Sequence, residues 1–245
     1  MAAWQEGAHA LVIGASGGIG SAFCAALADR SDIDRILGSG RDRSRVPEAV
    51  ESIVLDVTDP DSIASAGQAI RAATERLDLV ICCIGVLHDA DEGIAPEKRL
   101  EDIDPAAMTR HFTINALAPL LLARELAALL PRRDPCVWAN LSARVGSIGD
   151  NRLGGWYAYR GSKAAQNMFT RNLAIELGRR HRGLACVALH PGTVATDLSA
   201  PFRSAASEGV MTPDQAAGQM MKVIEALKPT DSGKFFAWDG SEIPW

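Results

Sequence analysis

Tyr159 and Lys163 are the residues of this chain best suited to moving a proton. They stand four apart in Tyr159-Arg-Gly-Ser-Lys163, so on a helix they share one face. A random coincidence of this spacing is uncommon, because the chain has only two tyrosines and five lysines. A phenol with a reference pKa near ~10 is a poor acid or base at neutral pH. A nearby ammonium favours the phenolate, and a three-unit drop takes about 4 kcal/mol of differential interaction. Lys163 is a source of part of it. The same spacing also suits a helix-surface pair in which the ring merely packs, and taken alone it leaves both readings open. Tyr157 has Gly161 at the corresponding offset and is the weaker candidate.

Proton chemistry of this kind needs a second reactant, and a glycine cluster near the start supplies a place for one. The apolar run 8–13 leads into Gly14-Ala-Ser16-Gly17-Gly18-Ile19-Gly20, and helical spacing begins at once with Ser21-Ala-Phe-Cys-Ala-Ala-Leu27. Strand, glycine turn and helix start come in the order that a dinucleotide requires. Glycine lets the backbone approach a pyrophosphate, and free N–H groups at the positive end of a helix favour that anion. The spacing is Gly-x3-Gly-x-Gly, not the commoner Gly-x-Gly-x-x-Gly. After the second apolar run the chain reads Gly38-Ser-Gly40-Arg41, with no acidic residue to hold ribose hydroxyls. An arginine there suits a 2′-phosphate, which favours NADP over NAD as cofactor; a solvated loop arginine is the plainer reading. Asp56, in Leu55-Asp56-Val57, can accept a hydrogen bond from an adenine amino group, or simply begin a helix beside Asp59.

The elements that must position these residues are legible as an alternation. Short apolar runs at 8–13, 35–37, 52–55, 79–83, 136–141, 184–189 and 234–238 are separated by stretches of helical spacing. Such alternation predicts βαβ units: an α/β, doubly wound Rossmann-type fold with a seven-stranded parallel sheet and helices on both faces. Asp59-Pro60, Asp104-Pro105 and Thr212-Pro213 each place a capping side chain before a proline suited to a first helical turn. No linker divides residues 1–245, so a single domain is expected. The long irregular stretches, 86–103, 143–156 and 190–211, are where such a sheet builds its function.

Bulk properties narrow the class. At 245 residues with 47% hydrophobic and 22% charged residues, the chain can bury one sizeable core. A net charge of -5 argues against a phosphate-gripping nucleic-acid binder. The five cysteines are odd in number, two of them adjacent at Cys82-Cys83, which argues against a disulfide framework. The five histidines lack ligand spacing, so no metal site is expected. Met1 to Gly7 does not resemble a secretory signal. The longest apolar stretch, 116–130, contains Arg124 and Glu125 and is too short and charged to span a bilayer. A soluble, cytoplasmic protein without a membrane or nucleic-acid partner is expected.

Taken in order along the chain, these motifs resemble those of the short-chain dehydrogenase/reductase family. The family's glycine loop matches Gly14, Gly18 and Gly20; its helix asparagine matches Asn115; its Tyr-x3-Lys matches Tyr159 and Lys163. His190-Pro191-Gly192-Thr-Val194-Ala-Thr196-Asp resembles the Pro-Gly segment whose threonine and backbone hold the nicotinamide carboxamide. Leu141 to Arg160 and the ending Phe-Phe-Ala-Trp-Asp-Gly-Ser-Glu-Ile-Pro-Trp245 are most similar to the C-factor branch and its sniffer-like carbonyl reductases. The resemblance implies an NADP(H)-dependent oxidoreductase acting on a small-molecule carbonyl or alcohol, in a homo-oligomer (dimer or tetramer). It implies that Tyr159 transfers the proton, Lys163 binds the nicotinamide ribose, Asn115 holds a water, and a serine hydroxyl orients the substrate oxygen. Two departures stand out. Cys82-Cys83-Ile84-Gly85 keeps only the glycine of the family's Asn-Asn-Ala-Gly, and Ala143 takes the usual serine position. Ser142 is therefore the candidate, with Ser147 in reserve. The loop from Pro191 to Met211, with Leu198, Pro201 and Phe202, is expected to cover the substrate. The alternative is a regulatory or signalling protein of the C-factor kind that binds cofactor with little or no turnover.

Overall fold

The computed structural model describes residues 3–90, 92–202 and 209–245. Seven strands, β1 (Ala8–Ile13), β2 (Ile33–Gly40), β3 (Glu51–Val54), β4 (Leu79–Cys82), β5 (Cys136–Leu141), β6 (Leu184–His190) and β7 (Phe235–Ala237), form one sheet. Its order is β3-β2-β1-β4-β5-β6-β7 and every pair is parallel. The order reverses between β1 and β4, which opens a crevice at their carboxyl ends, where ligands bind in such sheets.

All seven expected strands are present, with altered edges. β2 is longer than its apolar run because Gly38 and Ser39 pair with both β1 and β3, and Gly40 with β3, through the backbone. Glycine is required there: a β-carbon on Gly38 would lie 2.7 Å from the Val50 side chain and 3.0 Å from Ala15.

Two apolar layers cover the sheet. One is formed with α1 (Gly18–Ala28) and α6 (Pro213–Ala226), through Phe23, Leu27, Met220 and Ile224. The other is formed with α2 (Pro60–Ala73), α4 (Ala118–Leu126) and α5 (Tyr157–Leu177), through Ile63, Leu122 and Leu126 against Trp138. Alternation along the strands divides their side chains between the layers: Val137, Ala139 and Leu141 face the first, Cys136 and Trp138 the second.

The three Asx- or Thr-Pro starts all cap. Asp59 accepts from Asp61 N, Asp104 from Ala107 N and Thr212 from Gln215 N. α3 (Pro105–Phe112) continues through a π-helical turn, Thr113–Leu117, into α4. The helical stretch Pro105–Leu129 is therefore 25 residues long, and by length and composition alone it could cross a bilayer. Its starting point lies eleven residues earlier than the apolar stretch visible in the sequence. Here Ala118, Leu122, Ala123 and Leu126 are buried against the sheet.

Candidate active site

The phosphate end is built from backbone. Gly14 leaves β1 at φ +85, and Gly14 N and Ala15 N both donate to Ser39 O. Gly17 caps α1 with no side-chain hydrogen bond, and the first turn carries no acidic residue. The N–H groups at this end are thus left for an anion. Gly20 is fixed by contact: a β-carbon there would lie 2.1 Å from Gly14 O. Gly18 faces Thr196, whose methyl would be 3.0 Å from an added β-carbon. Ser16 lies against Gly40, and Ile19 is partly buried against the first apolar layer.

A cleft of about 350 Å³ extends from this loop. It is lined by Gly14, Ser16 and Gly17, by Arg41, Asp56 and Val57, and by Gly85, Ile114 and Leu198 near its other end. Arg41 is exposed at the rim. Asp56 Oδ1 accepts from the Thr58 hydroxyl (2.7 Å) and Thr58 N (2.9 Å). Those bonds hold the Asp56 carboxyl below its usual range, with Arg41 and Arg110 adding to them. Arg110 lines the cleft from α3, and its sequence context gave no sign of that role.

The candidate catalytic end is built from side chains of the π-helical turn and α5, packed against the ends of β4 and β5. Gly85 is the meeting point: a β-carbon there would lie 3.4 Å from Lys163 Nζ and 3.7 Å from Asn115 Oδ1. Asn115 sits inside the π-helical turn, a distortion that recurs at functional sites. Its Oδ1 accepts from Val86 N (2.8 Å), and its Nδ2 donates to Val86 O and the Ser162 hydroxyl (both 2.9 Å). Lys163, 3% exposed, donates to Leu141 O (3.0 Å) and Gln166 Oε1 (2.9 Å). Burial lowers its pKa to about 8, against a smaller opposing effect of Cys82 and Cys83.

Tyr159 begins the second residue pair of α5, 7% exposed, with the Trp156 ring edge-on at 6.2 Å and His111 at 6.4 Å. Burial raises its pKa above the ordinary phenol value. This differs from the expected Lys163-driven lowering, because burial dominates the phenol. Trp156 enters α5 in the left-handed region at φ 50, after Gly154 and Gly155 at φ 64 and 65. Glu97 fastens this entry: its carbonyl accepts from Trp156 N and its Oε2 from Ala158 N (3.2 Å).

The serine candidates each make an internal hydrogen bond. The Ser142 hydroxyl donates to Asn167 Oδ1 at 2.6 Å. Asn167 lies eight residues beyond Tyr159, about 12 Å along the helix axis. Ser147 is fully buried and donates to Pro244 O at 2.5 Å while accepting from Asp150 N. Both hydroxyls are committed to holding the 144–150 turn, and side-chain alternation puts Ala143 on the face opposite Ser142.

In the Pro-Gly segment, Pro191 is half-buried and Gly192 takes φ +78, because a side chain would meet Met211 and Trp238 below 3.0 Å. Val194 is buried and bridges to Met211. Leu198 reaches the cleft; the side chain of Phe202 and residues 203–208 lie outside the described residues.

Comparison with known proteins agrees with this geometry. The family model "short chain dehydrogenase" matches residues 8–207. The chain is 35% identical over 237 residues to a 1-hydroxy-2-glutathionyl-2-methyl-3-butene dehydrogenase of Rhodococcus sp. (strain AD45), covering 96% of this chain and 98% of that one. It is 43% identical to the C-signal protein of Myxococcus xanthus over 153 residues, 60% of this chain and 83% of the other. Among solved structures it resembles the NADPH-bound carbonyl reductase from chicken fatty liver, with TM-score 0.85 and 29% identity over 98% and 95% of the two chains. The chain belongs to the short-chain dehydrogenase/reductase family. Its likenesses to C-signal and to a carbonyl reductase place it in the C-factor and carbonyl-reductase branch.

Proposed function

We propose that this chain is an NADP(H)-dependent oxidoreductase interconverting a small-molecule carbonyl and its alcohol, with Tyr159 as the proton-transfer group. The observation that carries the reading is the convergence of Asn115, from the π-helical turn, and Lys163, from the helix of Tyr159, beneath Gly85 at the end of a cleft that starts in a backbone anion cradle. The cradle suits a pyrophosphate because Gly20 leaves no room for a side chain and Gly14 turns at φ +85, which keeps the loop backbone bare. Arg41 would take a 2′-phosphate, Asp56 an adenine amino group, and Thr196 with the backbone of Pro191 to Val194 the carboxamide. NADPH is the group found in the carbonyl-reductase neighbour, and when bound it supplies the hydride.

The chain's own residues do the rest. Burial keeps the Tyr159 phenol protonated, the state from which it gives its proton to a substrate oxygen. Lys163, mostly charged at neutral pH, stabilises the phenolate left behind and offers N–H groups to ribose hydroxyls. Oxidation runs the same transfer in reverse.

A second reading rests on one observation. Both serine hydroxyls donate to internal acceptors and Ala143 takes the usual serine position, which together with the C-signal likeness supports cofactor-dependent regulation with slow turnover. Substitution Tyr159→Phe separates the readings. It is expected to cut kcat at least ~10³-fold in a 340 nm assay over a carbonyl panel, with NADPH affinity within about twofold. Retained turnover would overturn the assignment of Tyr159, and a panel without turnover despite tight NADPH binding would favour the regulatory reading.

A further inference from the structure

Gln166 stands one helical turn beyond Lys163 and is 1% exposed. A buried primary amide is costly unless both its ends are paired. Its Oε1 accepts from Lys163 Nζ at 2.9 Å, whereas its Nε2 has no partner among the described residues. The amide is thus held in the interior by a single side-chain bond, and that bond is to the ammonium of the active site. Leu141 O provides the other acceptor at 3.0 Å, and it is fixed by the strand. Gln166 is therefore the one acceptor of the pair that side-chain chemistry can tune.

We propose that Gln166 is a positioning residue whose amide oxygen anchors the Lys163 ammonium below Gly85 and keeps it protonated in a site that excludes water. The proposal rests on the oxidoreductase reading of Lys163 given above, and deepens it by assigning the residue that sets its alkaline limit. The groups facing Lys163 are few. β4 contributes the Cys82 and Cys83 thiols, which burial keeps neutral by raising both pKa values. The π-helical turn contributes Asn115, whose amide is occupied by Val86 and Ser162. β5 contributes the Leu141 carbonyl, and the 144–146 turn packs Gly146 against the lysine stem. On α5 itself, Tyr159 is neutral when protonated. With no formed anion in this set, acceptor dipoles decide how long the ammonium survives as pH rises. Burial sets its midpoint at about 8 with Gln166 in place.

The test uses full-length chain labelled with ¹³C at the lysine ε-carbon, with the Lys163 signal assigned by its loss in Lys163→Arg. Titration is run for the parent chain, Gln166→Leu and Gln166→Glu, each with and without NADP⁺. A hydrogen bond to a charged group corresponds to about one pH unit. The Lys163 midpoint is expected to fall by about one unit in Gln166→Leu and to rise by at least as much in Gln166→Glu, where a carboxylate replaces the amide. If Gln166→Leu fails to fold, Gln166→Glu and Gln166→Asn give the two signs instead, with the shorter amide lowering the midpoint. Midpoints that coincide in all folded variants would overturn the proposal. The NMR titration does not depend on turnover, so a chain inactive on every carbonyl tested would sink the oxidoreductase reading while leaving this result interpretable. Where turnover is found, the alkaline limb of the reduction profile is expected to move with the midpoint; a uniform loss of kcat with an unmoved limb would mark Gln166 as merely structural.

Discussion

The two ends of the cleft are built on opposite principles. At the phosphate end, α1 begins without a side-chain cap and its N–H groups are left open. At the catalytic end nearly every polar group already has an internal partner: Asn115 holds Val86 and Ser162, Lys163 holds Leu141 and Gln166, Ser142 holds Asn167. The first end would recognise an anion through uncapped backbone N–H groups. The second is a hydrogen-bonded side-chain network, and a ligand must compete with the bonds it already makes. A backbone site tolerates change poorly because nothing can move aside; a network tolerates change by redistributing its bonds.

The sharpest way to break that contrast is Gly20→Val. Its β-carbon would lie 2.1 Å from Gly14 O, so backbone must shift, and NADPH affinity measured by fluorescence titration is expected to fall about 100-fold or more. Affinity within threefold of the parent would show that the loop is softer than the contrast requires. Next in size is Arg41→Ala, expected to reduce the preference for NADPH over NADH by about 30-fold, since a phosphate contact of this kind is charge-assisted. An unchanged ratio would return Arg41 to the solvated rim.

At the other end, Ala143→Ser puts a hydroxyl on the face that Ser142 does not serve. A gain of about tenfold in kcat, with Tm within a few degrees, would show that the network lacks only this donor. No gain would indicate that some other group already orients the substrate. The smallest effect is on pH. Lys163 has a pKa lowered to about 8, so its charge is present below that value and lost above it. Reductase kcat is expected to be roughly halved near pH 8 relative to pH 6.5, in a buffer series at fixed ionic strength. A flat profile to pH 10 would mean that the ammonium is held more firmly than its burial implies.

The same contrast explains what could be read from the sequence. The glycine loop, Arg41 and Asp56 lie within or next to the strands that place them, so local order was enough. All seven strands were likewise visible as apolar runs, although β2 outgrew its run because Gly38 to Gly40 pair through backbone alone. Tyr159 and Lys163 were legible from helical spacing. What stayed hidden depends on contacts far along the chain or on side-chain direction. The hydrogen bond of the Ser142 candidate to Asn167, 25 residues away, had no local signal. Glu97 caps α5 from 61 residues upstream, in a loop with no helical signal to link them. Gln166 had a local signal, one turn from Lys163, but its burial gave that signal meaning.

The left-handed entry to α5 has a consequence for how this chain could be improved. Trp156 holds φ 50 where only glycine sits comfortably, and such strain costs of order 1–3 kcal/mol. Its ring stands edge-on to Tyr159, so the strain and the catalytic wall are one side chain. Selection for thermal endurance would favour glycine there, continuing the run from Gly154 and Gly155, while selection for turnover would keep the indole. A directed-evolution campaign on this chain would thus meet its stability–activity trade-off at a single codon.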